Sequence, residues 1–250
     1  MRISWVLLTF NRLDTVIRAT THNQNTAGRA WDELVVVDNG STDGTKDYIR
    51  NVLAPDTFIS NRTNLGVSRG YNRGMALATG THIVITGCDR LMPQNWLSRM
   101  TEGFSLVPST AIVSCYSKHI EEVSERKLHH EEKINEVQII QCLPFEARLF
   151  PKWILKDCGY LREDLGLYGH EDSIWAQTVR KQLGQRGYLT YTFPNFIAEH
   201  LGDEGHVPWQ QKNDSIEYHA FKHRESTDPE KHKKLIEIAK EGFLPYTPNF

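Results

Sequence analysis

The first hundred residues alternate short apolar runs with polar, helix-compatible stretches, and this alternation restricts the chain to a layered α/β fold. Residues 3–9 (ISWVLLT) carry nothing polar between Trp5 and Leu8, as a parallel strand buried on both faces requires. A helix is expected over 13–21. Residues 33–38 (ELVVVD) form a β-branched strand that stops at Asp38, and 39–45 hold loop and capping chemistry. Thr42 or Asp43 is suited to cap a helix through Tyr48, Ile49 and Val52. A strand at 57–60, a helix opened by glycines at 66–78, a strand at 81–86 and a helix after Pro93 continue the series. Such a pattern predicts a mainly parallel sheet flanked by helices. Ligands of such sheets sit at the carboxyl ends of the strands, where Asp38 and Asp89 fall.

The second half is less regular. A strand is expected at 111–116, then a polar segment at 117–136 read as a solvated loop or helix, or as a flap over an acceptor. Strands are expected at 137–143, 146–150, 188–193 and 196–200. Residues 171–183 form a helix with Trp175, Val179 and Leu183 on one face and Gly184 as its stop. The tail changes character, with helical, charge-balanced stretches at 216–221 and 229–241. The expected organisation is a ligand-binding half at 1–105, a second half of the same domain at 106–207, and a helical C-terminal extension at 208–250.

A net charge of −2 over 250 residues gives no whole-molecule attraction to nucleic acid or anionic membrane. Cys88, Cys115, Cys142 and Cys158 form no C-x-x-C pair, so a zinc knuckle is not expected. Their wide spacing predicts reduced thiols in a cytoplasmic protein. The N-terminal apolar run meets Asn11 and Arg12 at once and reads as a first strand rather than a signal peptide. No segment reaches membrane-spanning length, so any membrane contact is expected to be peripheral.

Four segments carry a resemblance. VVVDNGSTDGT at 35–45 is similar to the V-V-D-D-G-S-T-D-G-T signature of the large inverting glycosyltransferase family 2. LTFNR at 8–12 resembles that family's P-T-Y-N-R, with Leu8 in place of proline. NLGVSRGYNRG at 64–74 is similar to its N-x-G-x-x-x-G-x-N-x-G segment, and CDRLMPQNWL at 88–97 stands where it carries D-x-D followed by L-x-P-x-x-L. The resemblance covers 1–105 well and 155–200 moderately, and leaves the tail uncovered. It implies a GT-A fold, Rossmann-like, with a nucleotide-sugar donor and Mn2+ or Mg2+ as cofactor; the acceptor, whether glycan, lipid-linked sugar, protein or modified nucleobase, is not readable from the sequence.

The resemblance also implies roles. Thr9, Phe10, Asn11 and Arg12 stand near the donor, with Phe10 able to stack on a base. Asp38 can accept from the N3–H of uracil, and equally of thymine, or else cap the following turn. Asn64, Gly66, Arg69 and Asn72 face donor phosphate or sugar. The alternative for Gly66, Gly70 and Gly74 is close packing on the sheet. Tyr71 stands where the family often has arginine. The family's D-x-D-D becomes Thr86-Gly87-Cys88-Asp89, in which only Asp89 remains as an acid. Cys88 is a poor ligand for hard ions and reads as a buried thiol beside the donor. His200 resembles the late histidine that completes the metal site, and an imidazole ligand favours manganese over magnesium.

Glu171 and Asp172 open a helix, where acids complement its dipole. In the family the corresponding acid is the general base that takes the acceptor hydroxyl proton. Asp172 is assigned that role, with Glu171 as acceptor ligand or alternative base. His170 and Trp175 are assigned to acceptor binding, with a core role as the alternative for Trp175. The expected activity is inverting, metal-assisted transfer of a sugar from a UDP-linked or related donor to a hydroxyl. Two alternatives are a degenerate fold that only binds nucleotide sugar or glycan, and a sugar nucleotidyltransferase. The latter's Gly-rich loop is missing at 8–12.

Overall fold

The first strand, β1 (Ile3–Thr9), is buried along its whole length. It pairs in parallel with β2 (Glu33–Asp38) on one side and β4 (His82–Gly87) on the other. Beyond β2 lies β3 (Thr57–Ser60), also parallel. This computed structural model describes residues 1–117, 130–134, 136–141, 147–167, 171–201 and 229–249. The helices between these strands are α1 (Leu13–Thr26), α2 (Thr45–Tyr48) and α3 (Val67–Leu77). The short α2 continues as one wider π-helical turn, Ile49–Leu53.

The chain then forms β5 (Arg90–Leu91), α4 (Trp96–Leu106), β6 (Thr110–Ser117), β7 (His130–Ile134), β8 (Val137–Gln141) and β9 (Arg148–Pro151). After these come α5 (Ile154–Cys158), a 3-10 turn (Glu163–Leu165), α6 (Glu171–Gly184), β10 (Leu189–His200) and α7 (Pro229–Glu241). The sheet order is β3-β2-β1-β4-β9-β6-β10-β8-β7, with β5 pairing β10 off this path. The first four strands and the β6–β10 pair are parallel, whereas β9 runs antiparallel between β4 and β6. The fold is the expected layered one, with a mixed second half.

Strand alternation divides the core into two layers. Trp5, Leu7, Leu34 and Val36 face a cluster with Trp96 and Met100 of α4. Val6, Val35, Ile83 and Ile85 face the opposite cluster with Met75 of α3 and Trp175 and Val179 of α6. The recurring glycines explain how α3 lies so close. A Cβ on Gly70 would overlap the Leu8 side chain, and one on Gly74 would lie 2.5 Å from Val6 Cγ1. Such overpacking costs about 1–3 kcal/mol. At Gly70 and Gly74, therefore, sheet packing is the role of the glycine.

Three elements differ from expectation. The first helix runs on to Thr26. Asp43 lies one residue before the Gly44 cap of α2, yet its carboxylate still accepts from Thr45 N–H and Oγ1, and from Leu13 N–H at the start of α1. Burial raises the Asp43 pKa, but these hydrogen bonds outweigh it and leave the group more acidic than usual. The strands expected at 188–193 and 196–200 are one strand, β10, with a register shift between Thr192 and Ile197. Pro194 has no N–H to pair and Asn195 takes a left-handed φ of 56°, so the strand bulges instead of ending. The helix at 229–241 is present, and its Ile238 is buried against Leu165 and Ile174. The expected helix at 216–221 lies outside the described residues.

Candidate active site

A cavity of about 880 Å³ opens at the carboxyl ends of β1 and β4. Its most informative corner is built by the small β5–β10 ribbon. Residue 90 pairs with residue 200, and Leu201 N–H donates to the Asp89 carbonyl at 2.8 Å. Backbone pairing thus sets the two side chains together across a long stretch of sequence. His200 Nε2 lies 3.4 Å from Asp89 Oδ2. Arg12 Nη1 lies 3.5 Å from the same oxygen, and Arg90 Nη1 is 2.7 Å from Oδ1. Arg12 also donates to the Leu201 carbonyl at 3.1 Å, tying the end of β1 to the end of β10.

Two neighbouring ligands of an octahedral ion at roughly 2.1 Å each are about 3 Å apart, so the Asp89–His200 separation suits a shared divalent cation. Among the described residues, no group of three or more His, Cys, Asp or Glu side chains could hold a metal. Cys88 lines the cavity, and burial and the adjacent Asp89 charge push its thiol up to about 12; a thiol is a poor ligand for hard ions. The groups that could hold an ion at this corner are one carboxylate and one imidazole. That set suits an ion taking its remaining ligands from phosphate oxygens and water.

The opposite wall comes from β9 and α6. Phe150 packs against Trp175 with ring centroids 5.0 Å apart, and Trp175 Nε1 donates to the Gly159 carbonyl at 2.9 Å. Trp175 is 2% exposed, so its expected acceptor contact is corrected: it is a core residue that docks the helix. One turn earlier, Asp172 reaches the cavity. Its Oδ1 accepts from Ser173 N–H at 2.6 Å, and its Oδ2 accepts from Arg148 Nη2 at 3.2 Å. Glu171 also lines the cavity, although it is largely buried. His170 lies outside the described residues.

The remaining residues fall into two groups. Thr9, Phe10 and Asn64 line the cavity. Phe10 is 42% exposed at the end of β1, open to a flat ligand. Asn64 Oδ1 accepts from Asn39 Nδ2 and Gly66 N–H, both at 2.9 Å.

The others are engaged away from the cavity. Asp38 is fully buried, and its Oδ2 accepts from Gly40 N–H at 3.1 Å and Ser41 N–H at 3.0 Å, with Lys46 Nζ 3.8 Å away. The turn-capping alternative accounts for this carboxylate, while its neighbour Asn39 lines the cavity. Asn11 steadies the same loop: its N–H donates to Ser41 Oγ and its Oδ1 accepts from Thr42 N–H. Gly66 packs on Leu167, and Val67 N–H donates to the Leu167 carbonyl at 2.8 Å. Arg69 is exposed and pairs with Glu163 at 3.2 Å. Asn72 is buried, with Nδ2 donating to the Leu161 carbonyl and Glu163 Oε1, and Oδ1 accepting from Leu161 N–H. For Gly66, Arg69 and Asn72 the expected donor contact gives way to bracing of the 161–167 segment, which itself supplies Leu161 and Leu167 to the cavity.

Arg148 and Tyr71 were not singled out as site residues from the sequence. Tyr71 donates from its hydroxyl to the Thr86 carbonyl at 3.0 Å, and burial pushes its pKa upward. The available signal for Arg148 was a single charge inside the apolar run Ala147, Leu149, Phe150.

The mostly parallel central sheet flanked by helices matches the GT-A fold of glycosyltransferases. Residues 4–157 match the sequence profile of Glycosyl transferase family 2, and the chain belongs to that family. It is 48% identical over 61 residues to a PGL/p-HBAD biosynthesis glycosyltransferase of Mycobacterium bovis, a match spanning 23% of each chain. It is 22% identical over 192 residues to the GalNAc(5)-diNAcBac-PP-undecaprenol beta-1,3-glucosyltransferase of Campylobacter jejuni, spanning 72% of this chain and 60% of the relative. A mannosyltransferase from Pyrobaculum calidifontis, in complex with GDP-Man and Mn2+, superposes with a TM-score of 0.65 at 23% identity, covering 94% of this chain and 64% of that one. GalNAc-T7 with UDP, GalNAc and Mn2+ gives a TM-score of 0.57 at 11% identity, covering 80% and 44%. Each match spans less than two thirds of the other protein's length. Among the described residues, no helix is long and apolar enough to cross a membrane.

Proposed function

We propose that this protein transfers a sugar from a nucleoside-diphosphate sugar to an acceptor hydroxyl with inversion at the anomeric carbon, assisted by a divalent cation. The observation that carries this reading is convergence: Asp89 and His200 on one side, and Glu171 and Asp172 on the other, line a single cavity at the strand ends. Family membership and the nucleotide-bound neighbours of the same fold support a donor of this class.

In this reading Asp89 and His200 would hold the ion, which would supply positive charge beside the departing diphosphate. Arg12 and Arg90 orient the Asp89 carboxylate and add positive charge at the same corner. Phe10 stacks on the base. The acceptor O–H gives its proton to Asp172, and the oxygen lone pair forms the new bond to the anomeric carbon. The bond from that carbon to the diphosphate oxygen breaks, its electron pair leaving with the diphosphate. Fixed orientation across the cavity supplies much of the rate.

The test begins with thermal shift against UDP-, dTDP- and GDP-sugars, with and without Mn2+, since a bound donor raises the melting temperature by mass action. Donor turnover is then compared for the wild type and Asp172→Asn. The expected outcome is a kcat lower by about 10²–10⁴-fold with the donor-induced shift unchanged. Full turnover in Asp172→Asn would remove that residue from the chemistry. Donor-induced stabilisation with no turnover in the wild type would favour the binding-module alternative.

A further inference from the structure

We propose that Arg148 is a positioning residue that orients the Asp172 carboxylate for proton abstraction. The inference rests on the reading of Asp172 as general base and deepens it. Arg148 sits at the middle of the sheet: on β9 it pairs with Ile85 of β4 on one side and Ser114 of β6 on the other. It is 4% exposed. A guanidinium in that position is costly to desolvate unless a partner answers it.

The packing register explains why Asp172 is one such partner. Two residues along β9 return to the same face, and that residue, Phe150, packs on Trp175. Three residues back along α6 lie on the same helix face, which brings Asp172 over Arg148 at 3.2 Å. The apolar contact fixes the helix, and the polar contact fixes the carboxylate. With Oδ1 engaged by Ser173 N–H, rotation of the carboxylate would break one hydrogen bond or both. Asp172 is 30% exposed on its side chain and lines the cavity, so the carboxylate held by these two hydrogen bonds stands at the cavity wall.

Among the described residues, the other charged groups at the cavity are Arg12, Asp89, Arg90, Glu171 and His200. Arg12, Arg90 and His200 gather on Asp89, at the other corner. The guanidinium that meets Asp172 is that of Arg148. A pair of this kind adds little to stability compared with apolar packing, so its position points to the carboxylate's task. Arg148 also lines the cavity, and direct contact with substrate is the competing role.

The experiment uses the full chain and measures nucleoside diphosphate release from UDP-glucose, dTDP-glucose and GDP-mannose with Mn2+, using whichever turns over fastest. Four proteins are compared: wild type, Arg148→Gln, Asp172→Asn and the double variant. Arg148→Gln is expected to lower kcat about 100-fold, the scale of a misplaced catalytic group, with KM little changed. Arg148→Lys is expected to recover part of that loss. On the Asp172→Asn background, followed by long-incubation product accumulation, Arg148→Gln is expected to cost almost nothing further. An equal loss on both backgrounds, a loss confined to KM, or unchanged turnover in Arg148→Gln would overturn the proposal. Wild-type turnover in Asp172→Asn would instead sink the general-base reading itself. If Arg148→Gln melts below the assay temperature, Arg148→Lys carries the same comparison, with additive losses counting against the proposal and non-additive losses for it.

Discussion

Gly66 holds a φ of +88°, and a Cβ built on it would lie 2.8 Å from the Leu167 carbonyl oxygen and 2.9 Å from Leu167 Cα. These are backbone atoms and cannot swing aside. With ψ at 169° this backbone is essentially reserved for glycine, and an alanine there costs about 1–3 kcal/mol from strain alone. Gly66→Ala is therefore expected to lower the melting temperature by about 2–12 °C, on the scale of roughly 2–4 °C per kcal/mol for a chain of this size. Gly184 ends α6 with nothing within 4 Å of a built Cβ. Gly184→Ala is expected to be neutral or to stabilise by about 0.4–1 kcal/mol, and thermal melts of the two variants make the comparison. At this scale the sequence was informative about residue type and silent about prior engagement. Asp89, His200, Glu171 and Asp172, singled out by the family resemblance, all line the cavity. Asp38, Arg69, Asn72 and Trp175 were equally conspicuous, yet they lie off the cavity lining and serve a turn, an ion pair, a backbone strut and a core hydrogen bond. Nothing in a string of letters separates a carboxylate waiting for a ligand from one closing its own loop.

Among the elements, the docking of α6 on β9 decides where the proposed base stands. Trp175 fills the space between helix and sheet and anchors it through the Gly159 carbonyl. Trp175→Ala is expected to destabilise by about 3–5 kcal/mol, and Trp175→Phe by less. In the phenylalanine variant, turnover is expected to fall while donor-induced thermal stabilisation persists, because the donor corner at β5–β10 is built separately. Parallel melting and kinetic measurements read both effects. The strands of the first half were legible because each is a continuous apolar run between loop signals. The insertion of β9 between β4 and β6 was not legible, because antiparallel pairing to two distant strands leaves no local trace. The single long β10 was read as two strands because Pro194 and Asn195 write the same signal for a bulge as for a break.

Across the whole molecule, the C-terminal helix is tied to the segment that braces the cavity. Ile238 is buried with Leu165 and Ile174, Lys234 Nζ lies 3.2 Å from Asp164 Oδ2, and Arg162 holds both oxygens of the same carboxylate. Tyr246 adds a parallel bridge to Gly159. Hydrogen bonding from Arg162, with smaller help from Lys234, holds the Asp164 carboxyl below its ordinary range despite partial burial. A depressed carboxyl contributes stability that is present above its unfolded pKa, near 3.8, and is lost as pH falls through the lower folded value. Asp164→Asn is thus expected to melt below wild type at pH 7, with the gap closing as the pH is taken below 3.8. Thermal melts across that range test it. The tail's helix was legible from its spacing, and its docking partner was not, since Leu165 and Ile174 lie in elements far back along the chain.

The joining of residue 90 to residue 200 bears on how the protein is made. Synthesis runs from the amino end, and a nascent chain halted at residue 157 would already carry the whole family-matching segment. Its first four strands could pair, yet the imidazole that meets Asp89 would still be untranslated. The corner where His200 meets Asp89 can therefore close only after residue 200 has left the ribosome.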